Sequence, residues 1–563
     1  MPEGRRIIKR SERMVNYMEY QFKLTNSLEK IFFDPIDAFP ELKESSMMKN
    51  ELFSFQLAAW VTGNGWPRIK CKMEIESELA PWITVRRVGY VPSTVPSMQC
   101  SEDDDYLSKK PGLFPDPLYA IENGEMDLSD NQSRSFWVTV EPNGEKVGTF
   151  PIVFKISNAE GELLDTLSMN LTILDCELPE QKLRNTGWFH ADCIADLHGA
   201  EMMSEKHFAL LEKYIAVYAK FGHNMILTPV FTPPLDTAIG SERPTMQLVD
   251  VTLEGDTYSF GFEKLTRWIQ LCQKYGIRYF EISHLFTQWG ANCAPKIMGT
   301  KDGEYKKLFG WETDSLSREY KDFLNALLPA LTDYLREQGV MDQCYFHVSD
   351  EPNEEHEERY MAVKQLLLPY IPENQLIDAL GNFAFYEKGI VTRPVVATNH
   401  IQPFLDHHVE KLWAYYCCGQ GKDVANRFMS MPSYRNRILG YQLYKQEIEG
   451  FLQWGFNFWY SQLSTRVIDP FANTDADGGF QSGDAFLVYP LDEKGEVICS
   501  LRLYVFHEAL QDLRALELLE SLTGREEVLA LLEDVKNFDV YPRESAYILN
   551  LRETINRKIQ ENL

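Results

Sequence analysis

The sequence predicts a mixed α/β protein in which an antiparallel β-sandwich precedes a TIM-like (β/α)8 barrel and a helical segment ends the chain. Short β-branched and aromatic runs separated by turns occupy residues 50–176, which is typical of a sandwich. Strands and helices then alternate, as in a parallel sheet. Leucine recurs at helical spacing after residue 500. We therefore expect a sandwich over 1–178, a catalytic barrel over 185–499 and a helical segment over 500–563 that packs on the barrel.

The sandwich is predicted from runs of alternating and β-branched residues. The proline-rich stretch Pro111–Leu118 interrupts them. Proline has no backbone N–H and cannot sit in a central strand, so we expect a loop that crosses the surface or meets the neighbouring unit. The strand candidates begin at Leu52, Ile83, Ser135, Thr149 and Leu167.

The barrel is predicted from about eight strands in roughly 275 residues, the size expected of this fold. One intervening helix carries Phe208, Leu211, Ile215 and Tyr218 on a single face and stops at Gly222. A doubly wound open sheet is the alternative, but no G-x-G-x-x-G follows a strand. The strand candidates are 188–192, 223–228, 278–284, the run from residue 344, 375–379, 395–400, 411–416 and 454–460.

The stretch Cys344–Pro352 is an apolar run that stops at two adjacent carboxylates, Asp350 and Glu351. Pro352 and Asn353 begin an acidic helix start, so the carboxylates should lie at the carboxyl end of a strand, where parallel α/β folds hold their active sites. Two neighbouring carboxylates repel, which suits one charged group and one proton donor. The alternative is that both only cap the helix that follows.

Polar and aromatic residues at the other strand ends are candidates to bind substrate, because the carboxyl ends of barrel strands converge. His190, His284 and His400 could be imagined as metal ligands, but no ligand spacing supports a site, and we expect neither metal nor cofactor. The substrate-binding candidates are His190, Asn224, Glu281, Asn399, Tyr415, Tyr416 and Trp459.

Composition excludes several classes of partner. The chain of 563 residues has 56 Lys and Arg against 83 Asp and Glu, a net charge of −27, which disfavours nucleic acid and anionic membranes. No run reaches membrane-spanning length, and the basic start Met1–Arg13 is not followed by an apolar signal-peptide core, so we expect a cytoplasmic protein. The ten cysteines show no paired C-x-x-C spacing. A neutral carbohydrate fits this balance and the 11 tryptophans.

Four motifs together resemble glycoside hydrolase family 123 and its DUF4091-type relatives. They are Trp188-Phe-His-Ala-Asp192, Val348-Ser-Asp-Glu-Pro352, Gly112-Leu-Phe-Pro-Asp-Pro-Leu118 and Gly483-Asp-Ala-Phe-Leu-Val-Tyr-Pro490. The resemblance covers most of the chain. It implies an exo-acting β-N-acetylgalactosaminidase that retains anomeric configuration through substrate-assisted catalysis on a terminal β-linked residue of a glycan or glycolipid.

The carboxylate pair itself also favours that mechanism. A conventional retaining glycosidase uses two carboxyls about 5–5.5 Å apart across the sugar, usually from different strands, whereas adjacent residues favour the substrate-assisted exception. Asp350 would orient the 2-acetamido group and stabilise an oxazolinium intermediate, and Glu351 would act as general acid and base. Tyr415 or Tyr416 could hydrogen-bond the acetamide oxygen, and Trp459 could contact the acetyl methyl group.

Three alternatives stay open from the sequence. The enzyme could be a β-N-acetylglucosaminidase, because the 4-hydroxyl epimer is read by a few loop side chains. It could be a conventional retaining glycosidase in which Glu281 pairs with Glu351. It could also be a non-catalytic glycan-binding protein that kept the fold.

Overall fold

The computed structural model describes residues 18–63, 68–98, 102–352 and 354–563. The basic start Met1–Arg13 and the helix-start residue Asn353 lie outside the described residues. The first ten strands are β1 (Glu19–Asn26), β2 (Glu44–Met48), β3 (Phe53–Thr62), β4 (Ile69–Glu76), β5 (Ile83–Ser93), β6 (Gly112–Ala120), β7 (Glu125–Leu128), β8 (Arg134–Val140), β9 (Gly148–Asn158) and β10 (Leu163–Leu174).

These ten strands form two five-stranded sheets, in the orders β1-β3-β8-β5-β6 and β2-β10-β9-β4-β7. All strand pairs are antiparallel except β2 with β10. Side chains from both sheets, including Phe55 and Leu57 of β3 and Ile152 and Phe154 of β9, are fully buried in one shared core. Burial of these apolar faces against each other is what stabilises a two-sheet unit.

The proline-rich stretch predicted to be a loop is a strand, β6, and lies at the edge of its sheet. The edge position explains the difference, because an edge strand needs ladder hydrogen bonds on one side only and therefore tolerates proline. The predicted meeting with a neighbouring unit is present. Asp116 accepts hydrogen bonds from the Arg502 guanidinium at 2.7 and 2.9 Å, and both side chains are fully buried.

Eight short strands form one parallel sheet, in the order β18 (Cys344–Phe346), β15 (Tyr279–Ile282), β12 (Met225–Thr228), β11 (Arg184–Gly187), β22 (Gly450–Gln453), β21 (Trp413–Tyr415), β20 (Pro394–Ala397) and β19 (Asp378–Leu380). One parallel bridge joins Phe346 of the edge strand β18 to Leu376, which lies two residues before the other edge strand, β19. The remaining strands form a four-stranded sheet and a hairpin. In chain order these six strands are β13 (Asp250–Glu254), β14 (Thr257–Gly261), β16 (Ile297–Lys301), β17 (Glu304–Phe309), β23 (Val488–Leu491) and β24 (Val497–Cys499).

Two of the eight predicted barrel strands were assigned too late in the chain. The first parallel strand ends at Gly187, so the run 188–192 follows it, and the last ends at Gln453, so the run 454–460 also follows its strand. Aromatic residues favour strands, but here they lie in the loops beyond the carboxyl edge. The strands themselves are only three or four residues long.

The helices lie between and after the parallel strands. The predicted apolar face of helix α2 (Glu205–Lys220) is present, since Phe208, Leu211, Ile215 and Tyr218 are mostly or fully buried. None of the helices in the described ranges combines the length and the apolar character needed to span a membrane. In chain order the helices are α1 (Ala191–Leu197), α2 (Glu205–Lys220), α3 (Glu263–Lys274), α4 (Arg318–Glu337), α5 (Glu357–Leu367), α6 (Phe383–Glu387), α7 (Gln402–Asp406), α8 (Tyr434–Arg437), α9 (Leu439–Lys445), α10 (Leu501–Thr523), α11 (Arg525–Leu531) and α12 (Ser545–Asn562).

A buried ionic cluster joins the carboxyl-terminal helices to the β-sandwich. Arg552 of α12 pairs with Glu51 at 2.6 Å and with Asp512 of α10 at 2.8 Å. Arg437 pairs with the same Asp512 at 2.7 Å and with Glu508 at 2.9 Å. Because these charges are withdrawn from water, each depends on its partners, and loss of one leaves the others uncompensated.

Candidate active site

The two adjacent carboxylates follow strand β18 at the carboxyl edge of the parallel sheet. The loop after β15 holds their backbone. The Ser349 hydroxyl donates to the Thr287 carbonyl at 3.0 Å, and the Trp289 N–H donates to the Asp350 carbonyl at 3.2 Å. Glu351 has a φ of 45°, a left-handed conformation that costs energy for a residue with a side chain. The surrounding contacts therefore impose the turn that presents the pair.

A cavity of about 250 Å³ lies over the pair and is lined by both carboxylates. This volume is slightly below the usual range for ligand sites, about 300–1,000 Å³. The Tyr415 hydroxyl donates a hydrogen bond to Glu351 Oε1 at 2.9 Å, so one side chain of β21 reaches across to the end of β18. Flat aromatic faces beside a few polar groups are the arrangement that sugar rings require. The aromatic lining residues are Trp188, Trp289, Tyr415, Trp454 and Phe480.

A buried charged network lies in the sheet beneath the cavity. The His347 Nε2 bonds Glu281 Oε1 at 2.6 Å, and its Nδ1 faces Asp378 Oδ1 at 3.4 Å. Burial alone would lower the pKa of His347, but its hydrogen bonds to Asp378 and Glu281 and their charges raise it to about 10. At neutral pH His347 is therefore an imidazolium held between two carboxylates.

Glu281 lies within this network, and it does not line the cavity. Its carboxylate accepts from the Thr186 hydroxyl at 2.6 Å, from Trp188 Nε1 at 2.7 Å and from His347. The residue is completely buried, and both oxygens are engaged. Glu281 therefore orients Trp188, which lines the cavity, while Glu281 itself does not.

The pKa of Asp350 depends on its burial and on the charges of the residues around it. Burial raises the pKa of Asp350 well above its usual value, the charges of Glu351, Asp378 and Glu281 raise it further, and only His347 opposes them. The substrate-free site therefore favours the neutral form of Asp350. A group that donates a hydrogen bond to this carboxylate, or that carries positive charge near it, favours ionisation.

One wall of the cavity is fixed by His190 and Trp454. Arg243 donates to His190 Nδ1 at 3.1 Å, so the tautomer with hydrogen on Nε2 donates to the Trp454 carbonyl at 2.9 Å. Burial and the Arg243 charge lower the pKa of His190 to about 3, which keeps the ring neutral. Trp454 Nε1 donates to Asp484 Oδ2 at 2.8 Å. Asp484, from the Gly483 motif, therefore sets the orientation of the indole.

Besides Glu281, four predicted binding residues lie outside the cavity lining. Asn224 precedes β12, so it lies at the amino end of the strand and holds backbone groups of Leu183 and Asn185. Tyr416 is fully buried and packs on Phe451 at 5.0 Å, because it points to the opposite face of the sheet from Tyr415.

The other two residues, Trp459 and Asn399, come from segments that follow strands β22 and β20, but neither lines the cavity. Trp459 is fully buried, donates to the Val488 carbonyl at 3.2 Å and packs on Tyr214. Asn399 is exposed beyond the end of β20 and accepts from Gln420 Nε2 at 2.9 Å. We do not assign a ligand contact to either side chain.

One cluster in the described part of the chain has metal-ligand geometry. His284, His347 and Asp378 each offer an atom within 4.8 Å of the others. His347 stacks on His284 with ring centroids 4.2 Å apart. However, both nitrogens of His347 face carboxylates and its pKa is raised to about 10, so it carries protons where a metal needs a lone pair. The network is better described as an ionic cluster.

The sequence profile described as "Glycoside hydrolase 123, catalytic domain" matches residues 188–519, more than half of the chain. The chain belongs to glycoside hydrolase family 123. No curated protein sequence matches the chain. The resemblance based on four motifs is thereby confirmed at the level of the family, and the matched region includes the carboxylate pair and the whole of the cavity lining.

A solved structure from Clostridium perfringens is similar over nearly the whole length of both chains. That protein is a family 123 glycoside hydrolase whose structure was used to analyse glycolipid glycan hydrolysis. The two chains share 16% identity with a TM-score of 0.75, and the alignment covers 96% of this chain and 99% of that one. At that identity the likeness shows a shared fold.

Two β-glucuronidases also align over parts of the chain. One from Bacteroides uniformis has 12% identity and a TM-score of 0.28, with coverage of 79% of this chain and 47% of that one. One from Parabacteroides merdae has 10% identity and a TM-score of 0.30, with coverage of 86% and 54%. No structural conclusion follows from scores this low.

Several lining residues of this family 123 chain were not predicted from the sequence. Asp236, in the loop after β12, accepts from the Leu463 N–H at 2.9 Å, and burial raises its pKa to about 6. Trp289 has 42% of its surface exposed and stands at the rim of the cavity. The available signal for Asp236 was a carboxylate in a loop that follows a parallel strand. Trp289 comes from a loop with no periodic pattern.

Proposed function

We propose that the protein is an exo-acting retaining glycoside hydrolase that removes terminal β-linked N-acetylgalactosamine from glycans or glycolipids by substrate-assisted catalysis. Glycoside hydrolase activity follows from the family; the sugar, the mechanism and closure of the parallel sheet into a (β/α)8 barrel are the proposal. The observation that carries it is the adjacent pair Asp350–Glu351 at one cavity. The Clostridium perfringens protein is described as acting in glycolipid glycan hydrolysis, which supports the substrate class.

The nucleophile in this mechanism is the acetamido oxygen of the substrate. Asp350 accepts the acetamide N–H, and its ionised form is stabilised when the positive oxazolinium ring forms beside it. Glu351 donates a proton to the leaving oxygen and then removes one from the attacking water. The Tyr415 hydroxyl, 2.9 Å from Glu351 Oε1, holds that carboxyl in position. Neither step calls for a metal or a cofactor.

The engagement of Glu281 argues against the conventional two-carboxylate alternative. That mechanism needs a second carboxylate free to attack the anomeric carbon. Both oxygens of Glu281 are occupied by Thr186, Trp188 and His347, and the residue is absent from the cavity lining. A nucleophile in that position would first have to give up three hydrogen bonds.

Paired aryl glycosides test the proposal. We expect hydrolysis of 4-nitrophenyl 2-acetamido-2-deoxy-β-galactoside and little hydrolysis of the β-galactoside, which lacks the acetamido oxygen. Equal hydrolysis of both would refute substrate assistance. The gluco epimer of the acetamido substrate distinguishes galactosaminidase from glucosaminidase. No release of sugar from any of the three would favour the glycan-binding alternative.

A further inference from the structure

Two adjacent cysteines, Cys417 and Cys418, line the same cavity as the carboxylate pair. Both are partly exposed, whereas six of the nine cysteines in the described residues are buried. The third partly exposed one, Cys293, lies outside the cavity lining. The two thiols belong to neighbouring residues of the chain and line the same cavity. The cavity wall therefore contains a vicinal dithiol that small molecules entering the cavity can reach.

The backbone at Cys417 is anchored to the loop that follows it. The Cys417 N–H donates to Gln420 Oε1 at 2.8 Å, and its carbonyl accepts from Asn426 Nδ2 at 3.0 Å. Cys417 comes two residues after Tyr415, whose hydroxyl bonds Glu351. A change at the dithiol is therefore transmitted through two residues to the tyrosine that positions a carboxylate.

We propose that Cys417 and Cys418 are a reversible thiol–disulfide site in the wall of the catalytic cavity, oxidised by low-molecular-weight disulfides and reduced by thiols. The Cys418 thiolate attacks the reagent disulfide, forms a mixed disulfide and releases one small thiolate. Cys417 then gives up its proton and attacks Cys418 Sγ, which closes the protein disulfide and releases the second small thiol. Two electrons pass to the reagent, and the protein loses two hydrogen atoms.

The order of attack follows from the surroundings of the two thiols. The interaction with the Cys418 thiol and partial withdrawal from solvent raise the pKa of Cys417, and the charges of Asp484 and Glu351 act in the same direction. Cys417 is therefore the poorer first nucleophile, and Cys418 initiates the reaction.

The oxidised form should be easily reversed. Neighbouring α-carbons lie about 3.8 Å apart across a trans peptide, below the usual disulfide range of about 4.4–6.8 Å. The ring that closes between adjacent cysteines is therefore strained, and strained disulfides are the readily reduced and regulatory ones. Closure also pulls on the anchored backbone that carries Tyr415.

The test treats the full chain with oxidised glutathione and follows mass and turnover together. We expect the protein to become lighter by two hydrogens, with peptide mapping locating the bond at 417–418 and separating it from Cys100. Turnover should fall by about tenfold or more, since displacement of a catalytic contact by about 1 Å can cost on the order of 100-fold. Dithiothreitol should restore it.

Three variants separate the steps. Cys417→Ser should trap a glutathione adduct on Cys418, Cys418→Ser should stay unmodified at this segment, and Cys293→Ser should behave as the wild type. For each variant, turnover is measured in the oxidised and in the reduced state, and the ratio of the two values is compared with that of the wild type. Free thiols at 417 and 418 in the treated wild type would overturn the site, whichever glycoside the enzyme accepts. Full oxidation with unchanged turnover would overturn its control of the cavity.

Discussion

Replacement of His347 by glutamine should destabilise the protein and change how its stability depends on pH. His347 is fully buried between Glu281 and Asp378, and its pKa is raised from 6.5 to about 10. At about 1.4 kcal/mol per pH unit, that rise corresponds to about 5 kcal/mol of folding free energy. Removal of one partner from a buried ionic cluster costs about 3–5 kcal/mol, so two independent arguments give the same range.

The sign of the pH dependence follows from the direction of the pKa change. The folded protein holds the His347 proton more tightly than the unfolded chain does. The stabilisation is therefore complete below about pH 6.5 and is lost as the pH rises through about 10. Glutamine binds no proton, so His347→Gln should lack this loss. Over that window the free energy of unfolding should fall more steeply in the wild type, by about 1.4 kcal/mol per pH unit.

Urea unfolding followed by tryptophan fluorescence between pH 6.5 and 10 measures the effect. His223→Gln is the matched control, because His223 is equally buried while burial and the Arg427 charge lower its pKa to about 3. His223 stays neutral across the window, so its replacement should destabilise the protein without changing the slope. If the free energy of unfolding of His347→Gln had the same dependence on pH as that of the wild type, the conclusion that His347 is an imidazolium would be refuted.

Four further outcomes are expected. Glu351→Gln should lower kcat strongly on poor leaving groups and less on activated aryl glycosides, and equal losses on both would remove it from the acid role. Activity should rise with pH through the raised pKa of Asp350, so an acid limb near 3.8 in the kcat/KM profile would contradict the need for its ionised form. Asp350→Asn should lose most of the tight binding of a galacto-thiazoline in calorimetry while free N-acetylgalactosamine binds as before; unaltered thiazoline affinity would argue otherwise. Arg552→Met should destabilise the protein by about 3–5 kcal/mol in urea, whereas Arg557→Met, at an exposed ion pair, should change little.

The position of the carboxylate pair was predictable because it depends on a local signal. An apolar run that ends in Asp350 and Glu351 predicts a buried strand followed by a polar edge, and in the structure the pair follows β18. Tyr415 and Tyr416 show the limit of that reasoning. Both are aromatic residues at the end of one strand, but side chains alternate between the two faces, and only Tyr415 reaches the cavity.

Errors of a few residues in strand boundaries had the largest effect on the candidate site. Asn224 was a different error, because it is the second residue of the predicted run 223–228 and precedes β12 by one residue, so it lies at the amino end of the strand under either boundary. Trp459 follows the end of β22 by six residues, and its side chain packs in a different hydrophobic core from that of Tyr415, which lines the cavity. When a strand is only four residues long, an assignment that is wrong by four residues places side chains at the wrong position along the strand. A residue expected at the active-site edge of the sheet is then found in a structural position.

Four residues of the cavity lining, three of which were not predicted from the sequence, share a backbone feature. Asp236, Trp289, Glu351 and Leu463 line the cavity from four separate loops, and their φ angles are 39°, 58°, 45° and 60°. Left-handed conformations of such residues cost about 1–3 kcal/mol each and persist only where surrounding contacts impose them. Residue propensities disfavour left-handed conformations for these residue types, so the conformations cannot be predicted from a sequence pattern.

The contacts that hold these residues in left-handed conformations also position the groups that line the catalytic cavity. The Asp236 carboxylate holds the Leu463 N–H, and the Asp350 carbonyl holds the Trp289 N–H. Beneath them, His347 offsets the negative charge that raises the pKa of Asp350. Loss of its positive charge would therefore act twice, on the stability of the sheet and on the ionisation of Asp350. A single substitution at this buried residue should raise the pH at which the enzyme becomes active, even though its side chain lies outside the cavity lining.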